Sequence, residues 1–122
     1  MPSANAVPTA AYNNCSGKHS GFLTTAVQYG EPTKGYIKYD HPVQRRLRDV
    51  MSDLCGADAH AFPHGTDGCG IPTLATPLKS LARAMASMAD PSRLSNKHAE
   101  AATRTRAAMN AEPFMVAGSG RF

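Results

Sequence analysis

The sequence predicts a mainly α-helical chain, four helices joined by irregular loops with little or no sheet. Two observations predict it. Apolar residues recur at three- and four-residue spacing in four separate stretches. Each stretch is bounded by the residues that start and stop helices, proline or a capping side chain before it and glycine, Asp or proline after it.

Residues 1–11 are small, polar and proline-containing, an irregular lead-in to a single domain over 12–122. From Lys18 to about Tyr29, Phe22, Leu23, Ala26 and Val27 mark the first helix, closed by Gly30-Glu31-Pro32. Gly35-Tyr36-Ile37-Lys38-Tyr39 reads as a short exposed or semi-extended connector, whose tyrosines could line a pocket, with packing over neighbouring helices the preferred reading.

Asp40-His41-Pro42 opens the second helix with proline in the first turn. Val43, Leu47, Val50, Met51 and Leu54 form its buried stripe, Gln44, Arg45, Arg46, Arg48 and Asp49 face out, and Cys55-Gly56 ends it, with Cys55 as a small hydrophobe. The loop that follows, bracketed by prolines and carrying His60, His64, Asp67 and Cys69, has the length and content of a functional loop. Thr76-Pro77 restarts a helix whose Leu78, Leu81, Ala82, Met85, Met88 and Ala89 are its expected core face. Asp90-Pro91 breaks that helix and caps a weakly apolar fourth, Ser92 to Asn110, whose alanines suit packing against a larger body. Phe114 to Phe122 begins like a short buried strand and passes into a glycine loop, and both chain ends read as cut.

The 122 residues make one small domain, a size that buries about two-thirds of its unfolded surface. With no Trp and much of the apolar fraction in alanine, the core is thin and the chain is expected to be marginally stable alone. The formal charge of +4 would suit a nucleic-acid partner, but the basic residues are scattered over several helices without interleaved aromatics, so solvated faces are the preferred reading. No apolar run approaches the ~18 residues of a membrane span. Three cysteines, an odd number, and a start without a basic and apolar leader point to reduced thiols in a soluble cytoplasmic protein.

Chemistry concentrates in two runs, Asn13-Asn14-Cys15-Ser16-Gly17-Lys18-His19-Ser20-Gly21-Phe22 and Asp67-Gly68-Cys69-Gly70-Ile71-Pro72. The first places a thiol, a hydroxyl, an amine and an imidazole at a helix start, where backbone N–H groups favour an ionised thiol. Cys15 and Lys18, three apart, share a helix face. The second sets Cys69 in a tight glycine turn. The two runs suggest one site. A zinc knuckle from Cys55, His60, His64 and Cys69 fails on spacing, since neither cysteine has a close cysteine partner. A thiol hydrolase or redox switch remains open, with Cys15 as nucleophile, Lys18 or His19 as base and Cys69 as resolving thiol. So does a non-catalytic helical interaction fragment.

The runs NNCSGKHSGF and DGCGIPTLATPL, with HPVQRRLRDV between them and PFMVAGSGR after them, resemble the bacterial asparaginase II family from Tyr12 to the C-terminus. That family comprises zinc-associated amidohydrolases with a fold similar to serine β-lactamases and penicillin-binding proteins. The resemblance implies that this chain is a segment of such an α+β fold, members being several times longer. It implies a Zn²⁺ site on Cys15, Lys18 and Cys69, with Asp67, His19 and Ser16 as partners of the ligands or of an L-asparagine substrate. It also implies a nucleophilic serine in an S-x-x-K motif, and none occurs in the 122 residues. Ser16 stands two residues from Lys18, the wrong spacing for such activation. No catalytic residue is therefore assigned, and the chain is expected to be inactive unless a homo-oligomer or a complementing segment supplies the rest.

Overall fold

The structure, a computed structural model, describes residue 7 and residues 9–118. Its order is a 3-10 turn (Ala10–Tyr12), α1 (Ser16–Gln28), α2 (Pro42–Cys55), a 3-10 turn (Ala59–Ala61), β1 (His64–Thr66), β2 (Pro72–Leu74), α3 (Leu78–Ala89), a 3-10 turn (Pro91–Arg93), α4 (Asn96–Ala111) and α5 (Pro113–Ala117). The mainly helical expectation holds, and each of the four expected helices is present. The sheet is one two-stranded ribbon, antiparallel by its register, since Asp67 N–H reaches Ile71 O and Ala75 N–H reaches Pro63 O. Two compact units are built from interleaved segments, one reaching to Arg46 and including His64–Thr73, the other made of Leu47–Pro63 and the chain from Leu74 onward.

In the first unit α1 starts without a side-chain cap. Cys15 is the N-cap residue, and Asn13 Oδ1 accepts from its N–H at 2.8 Å. The helix ends on Gly30 at φ +64, with Glu31 N–H on Ala26 O and Gly30 N–H on Val27 O, the paired closing bonds that a left-handed residue permits. Ala26 is buried on its inner face, whereas Val27, expected beside it, is exposed. The connector folds into successive turns, Lys38 N–H on Gly35 O and His41 N–H on Lys38 O, rather than an extended strand. His41 then caps α2: its Nδ1 accepts from Val43 N–H at 3.2 Å, which leaves Nε2–H to donate to Pro32 O at 2.8 Å.

One residue expected on the outer face of α2 lies inside. Gln44 is 1% exposed, and its side-chain amide donates to Tyr36 O at 2.9 Å, so burial is compensated by a bond to a turn carbonyl that no helix or strand satisfies. Arg46 pairs with Glu31 at 2.5 Å and lies over the Tyr29 ring at 3.6 Å.

The second unit contains the other reversal on α2. Arg48, 3% exposed, donates from Nε to His60 Nδ1 at 3.3 Å, and His60 Nε2 in turn meets Asp49 Oδ1 at 2.8 Å. Cys55 is buried as expected, and its thiol pKa is raised by that burial. Gly56 follows at φ +59 with the Arg83 guanidinium against it.

In α3 most of the expected core face is turned outward: Leu78 is 80% and Met85 63% exposed, and Leu81 is exposed too, while Met88 is half-buried. The helix packs on α4 through its small side instead, burying Ala84 with Ser80 and Ser87 half-buried. Close approach of two helices favours small residues, so the long side chains are left in water. Pro77, not Thr76, is the N-cap residue, and no side chain caps the helix. Asp90 caps the 3-10 turn by accepting from Ser92 N–H, and Ser95 caps α4, which therefore begins four residues later than expected. The expected strand at Phe114 is the short helix α5. Proline at its first position and an exposed Phe114, Met115 and Val116 fit a helical turn better than a buried strand. The glycine loop expected beyond Gly118 lies outside the described residues.

Candidate functional site

The chemistry of the first unit gathers around one carboxylate. Asp67 follows β1 and opens the turn to β2. Its Oδ1 accepts from Cys69 N–H at 3.0 Å, Ile71 N–H at 3.2 Å and the Cys69 thiol at 2.8 Å. Its backbone N–H and C=O close the same turn through Ile71 O and Gly70 N–H. Gly70 sits at φ +84, with the Ile37 side chain 3.8 Å from where a Cβ would lie. A side chain there would be strained by its backbone alone. The sequence Asp-Gly-Cys-Gly therefore folds locally, and it presents Asp67 Oδ2 and Cys69 Sγ together.

Helix α1 brings the rest. Cys15 at its N-cap position and Lys18 one turn on lie on the same face, as the spacing predicts. Lys18 Nζ donates to Asp67 Oδ2 at 2.9 Å. Cys15 and Lys18 are close enough to Cys69 for it to raise the pKa of each. Cys15, Lys18, Asp67 and Cys69, 49 to 54 residues apart across the two runs, form one cluster.

Its electrostatics run against one expectation. The helix start and Lys18 favour the Cys15 thiolate, yet the thiol pKa is raised, first by the hydrogen bond with Cys69 and then by burial. The Cys69 thiol and then the Lys18 ammonium hold Asp67 well below the usual carboxylate range. Asp67 and then Cys69 hold Lys18 above the usual amine range. The pair is thus Asp⁻ and Lys⁺ throughout the neutral range.

All three cysteines are free thiols. Among the described residues no three His, Cys, Asp or Glu side chains are grouped as a metal site. Two thiols and an amine suit a borderline-soft ion such as Zn²⁺ once each has lost its proton. The remaining knuckle candidates are occupied elsewhere: His60 by Arg48 and Asp49, His64 by a stack on Tyr39 at 3.8 Å, Cys55 by burial.

Beside the cluster is a cavity of about 550 Å³ lined by Ala10, Ala11, Asn13, Ser16, His19, Ser20, Leu23, Tyr36 and Cys69. Ser16 and His19, both named from sequence, face it, and Cys69 belongs to cavity and cluster alike. His19 Nδ1 and Tyr36 OH are 2.6 Å apart, their rings edge to face at 5.7 Å. Ser20 was legible as a partner of Ser16, His19 and Leu23 at helical spacing, and sequence reasoning passed over it. Tyr36 lines the cavity, the less favoured of the two readings of the connector tyrosines. It is placed by the turns around Gly35 and by Gln44, a residue whose burial the helical pattern hides.

No helix among the described residues is long and apolar enough to cross a membrane. No curated protein matches the chain. A model of the L-asparaginase II family matches residues 1–122.

Proposed function

The chain belongs to the L-asparaginase II family, a family of asparaginase-type hydrolases, and from that premise we propose that its Cys15–Lys18–Asp67–Cys69 cluster is a zinc centre serving hydrolysis of L-asparagine to L-aspartate and ammonia. The observation that carries the reading is the contact between the two runs, Lys18 Nζ on Asp67 Oδ2 at 2.9 Å with the Cys69 thiol on the same carboxylate at 2.8 Å. Cys15, Lys18 and Cys69 would hold the ion, and when bound it supplies Lewis acidity next to the substrate cavity.

The chain's own residues define what loading requires. Thiols and an ammonium bind a metal only after losing their protons, so uptake by Cys15, Lys18 and Cys69 is expected to tighten as pH rises. Asp67 holds Lys18 and Cys69 at the place where their lone pairs are wanted, the role of a carboxylate that orients ligands. The thiol-nucleophile reading loses ground for the same reason that loading needs higher pH: Cys15 is held as a thiol.

The reading assigns this chain metal and substrate holding, not the attack on the amide. No Ser-x-x-Lys occurs in the sequence, and Ser16 has its lysine at the wrong spacing. Elemental analysis of tag-free protein tests the proposal alongside ammonia release from L-asparagine. About one zinc per chain, lost in Cys15→Ser and in Cys69→Ser, with no turnover by the 122-residue chain, is expected. A folded chain without zinc would overturn the metal centre, and turnover would overturn the assignment of the nucleophile elsewhere.

A further inference from the structure

The second unit holds a cleft of about 190 Å³ with charges of both signs in its lining. Asp53 on α2, Arg83 on α3, and Asp90 and Arg93 around the 3-10 turn that follows all face it. Both carboxylates already hold one partner, Asp53 Oδ2 the Nδ1 of His98 and Asp90 Oδ1 the Ser92 N–H at 3.2 Å. An ionised carboxyl accepts at about four sites, so each has lone pairs to spare. The two guanidinium groups are freer still: Arg83 and Arg93 make no hydrogen bond or salt bridge among the described residues.

The walls of the cleft are tied to one another. His98 on α4 meets Asp53 on α2, and the Ser87 hydroxyl of α3 donates to Leu54 O at 3.4 Å in the last turn of α2. Arg106 on α4 donates to Met88 O at 3.2 Å, at the end of α3. The Arg83 guanidinium is set against Gly56, where the chain leaves α2. Walls held in this way bind with little further ordering cost.

The mixed lining selects among ligands by charge. A plain carboxylate would meet two arginines but also two acids, and a plain ammonium two acids but also two arginines. A molecule that carries both charges a few atoms apart can give each its opposite. The volume holds about six waters at ~30 Å³ each, which suits a small molecule, and Ala86 and Leu94 add an apolar edge for a small side chain. We infer that this cleft is a binding site for a free, zwitterionic α-amino acid with a small side chain, its carboxylate on Arg83 and Arg93 and its ammonium on Asp53 and Asp90. The inference stands on the cleft alone and needs neither the metal centre nor the hydrolase reading, since the Cys15–Lys18–Asp67–Cys69 cluster belongs to the other compact unit.

NMR of the whole 122-residue chain at neutral pH, titrated separately with L-alanine, propionate and ethylamine at matched ionic strength, is the test. L-Alanine is expected to shift the side-chain Nε–H signals of Arg83 and Arg93 and the backbone signals of Ser87 and Leu94. Propionate and ethylamine, each with one of the two charges, should leave them in place at the same concentrations. Arg93→Gln removes one guanidinium from an exposed side chain that bonds to nothing else, and should weaken L-alanine binding about tenfold or more, the effect of one lost charged hydrogen-bonding partner. If that variant does not fold, the three wild-type titrations decide alone. Cys15→Ser and Cys69→Ser should bind L-alanine as wild type does, with or without zinc, so the metal centre can fail while the cleft stands. No shifts with L-alanine, equal shifts with propionate or with ethylamine, shifts confined to the cavity of Ser16 and His19, or wild-type binding by a folded Arg93→Gln would each overturn the inference.

Discussion

The turn from Asp67 to Ile71 and the helix α3 solve the same problem in opposite ways. In the turn one carboxylate accepts from two backbone N–H groups, a thiol and an ammonium, and the glycine at Gly70 lets the chain close around it. In α3 the backbone is satisfied by the helix itself, but Leu78, Leu81 and Met85 stay in water. Order in the turn comes from polar satisfaction and in α3 from helical propensity with small-residue contacts. The difference teaches where this chain is sensitive: the fully buried apolar residues are small or few, Ala26, Val43, Cys55, Ala59, Ile71, Ala84 and Ala102. Removing a buried polar contact therefore costs more than trimming a large apolar side chain.

The largest expected effect is at the hub. Asp67→Ala leaves Lys18, Cys69 and the Ile71 N–H without their common acceptor, and zinc affinity should fall about 10- to 100-fold in a competition titration, the range for losing a carboxylate that orients ligands. Asp67→Asn sharpens the contrast, since it keeps an acceptor for the two N–H groups and loses the ion pair. Next is Gln44→Leu, which keeps the volume but strands the Tyr36 carbonyl. A loss of about 1–3 kcal/mol in denaturant unfolding is expected. Gly56→Ala should cost about 1–2 kcal/mol, because φ +59 strains any side chain and the Arg83 guanidinium occupies the space of the new Cβ.

These positions also mark what the sequence did and did not reveal. Helix positions were legible because Pro42, Gly30 and Asp90-Pro91 act locally, through backbone geometry that needs no tertiary partner. The convergence of Cys15, Lys18 and Cys69 was legible from motif chemistry and resemblance. Which helix face is buried was not. Gln44 and Arg48 look solvated on any pattern because their partners, a turn carbonyl and His60, are fixed only by the fold. Leu78 and Met85 look buried because hydrophobicity reports a preference, not the presence of a surface to bury against. The Cys15 thiol misled in the same way: a helix start argues for ionisation, and the neighbour that reverses it, Cys69, is 54 residues away.

Smaller effects follow from the second unit. The Ser92 backbone N–H lowers the Asp90 pKa below its unfolded value, so the contribution of this cap is complete above about pH 4–5 and is lost as pH falls through the depressed value. Asp90→Asn should flatten the acid limb of a stability–pH profile and leave it unchanged at neutral pH apart from a constant offset. The smallest effect is the sharpest check on the contrast. Leu78→Ser and Met85→Ser should each change stability by less than about 0.5 kcal/mol, as exposed positions do. A loss several times larger would mean that α3 is covered after all, and that its order resembles that of the turn.

In the proposed metal centre two distant cysteines and a lysine hold one ion. Zinc-edge X-ray absorption on the loaded chain tests it most directly. The account predicts two sulfurs at about 2.3 Å with nitrogen or oxygen at about 2.0–2.1 Å, and loss of a nitrogen scatterer in Lys18→Met. A shell of three or four sulfurs, or one unchanged in Lys18→Met, would contradict it.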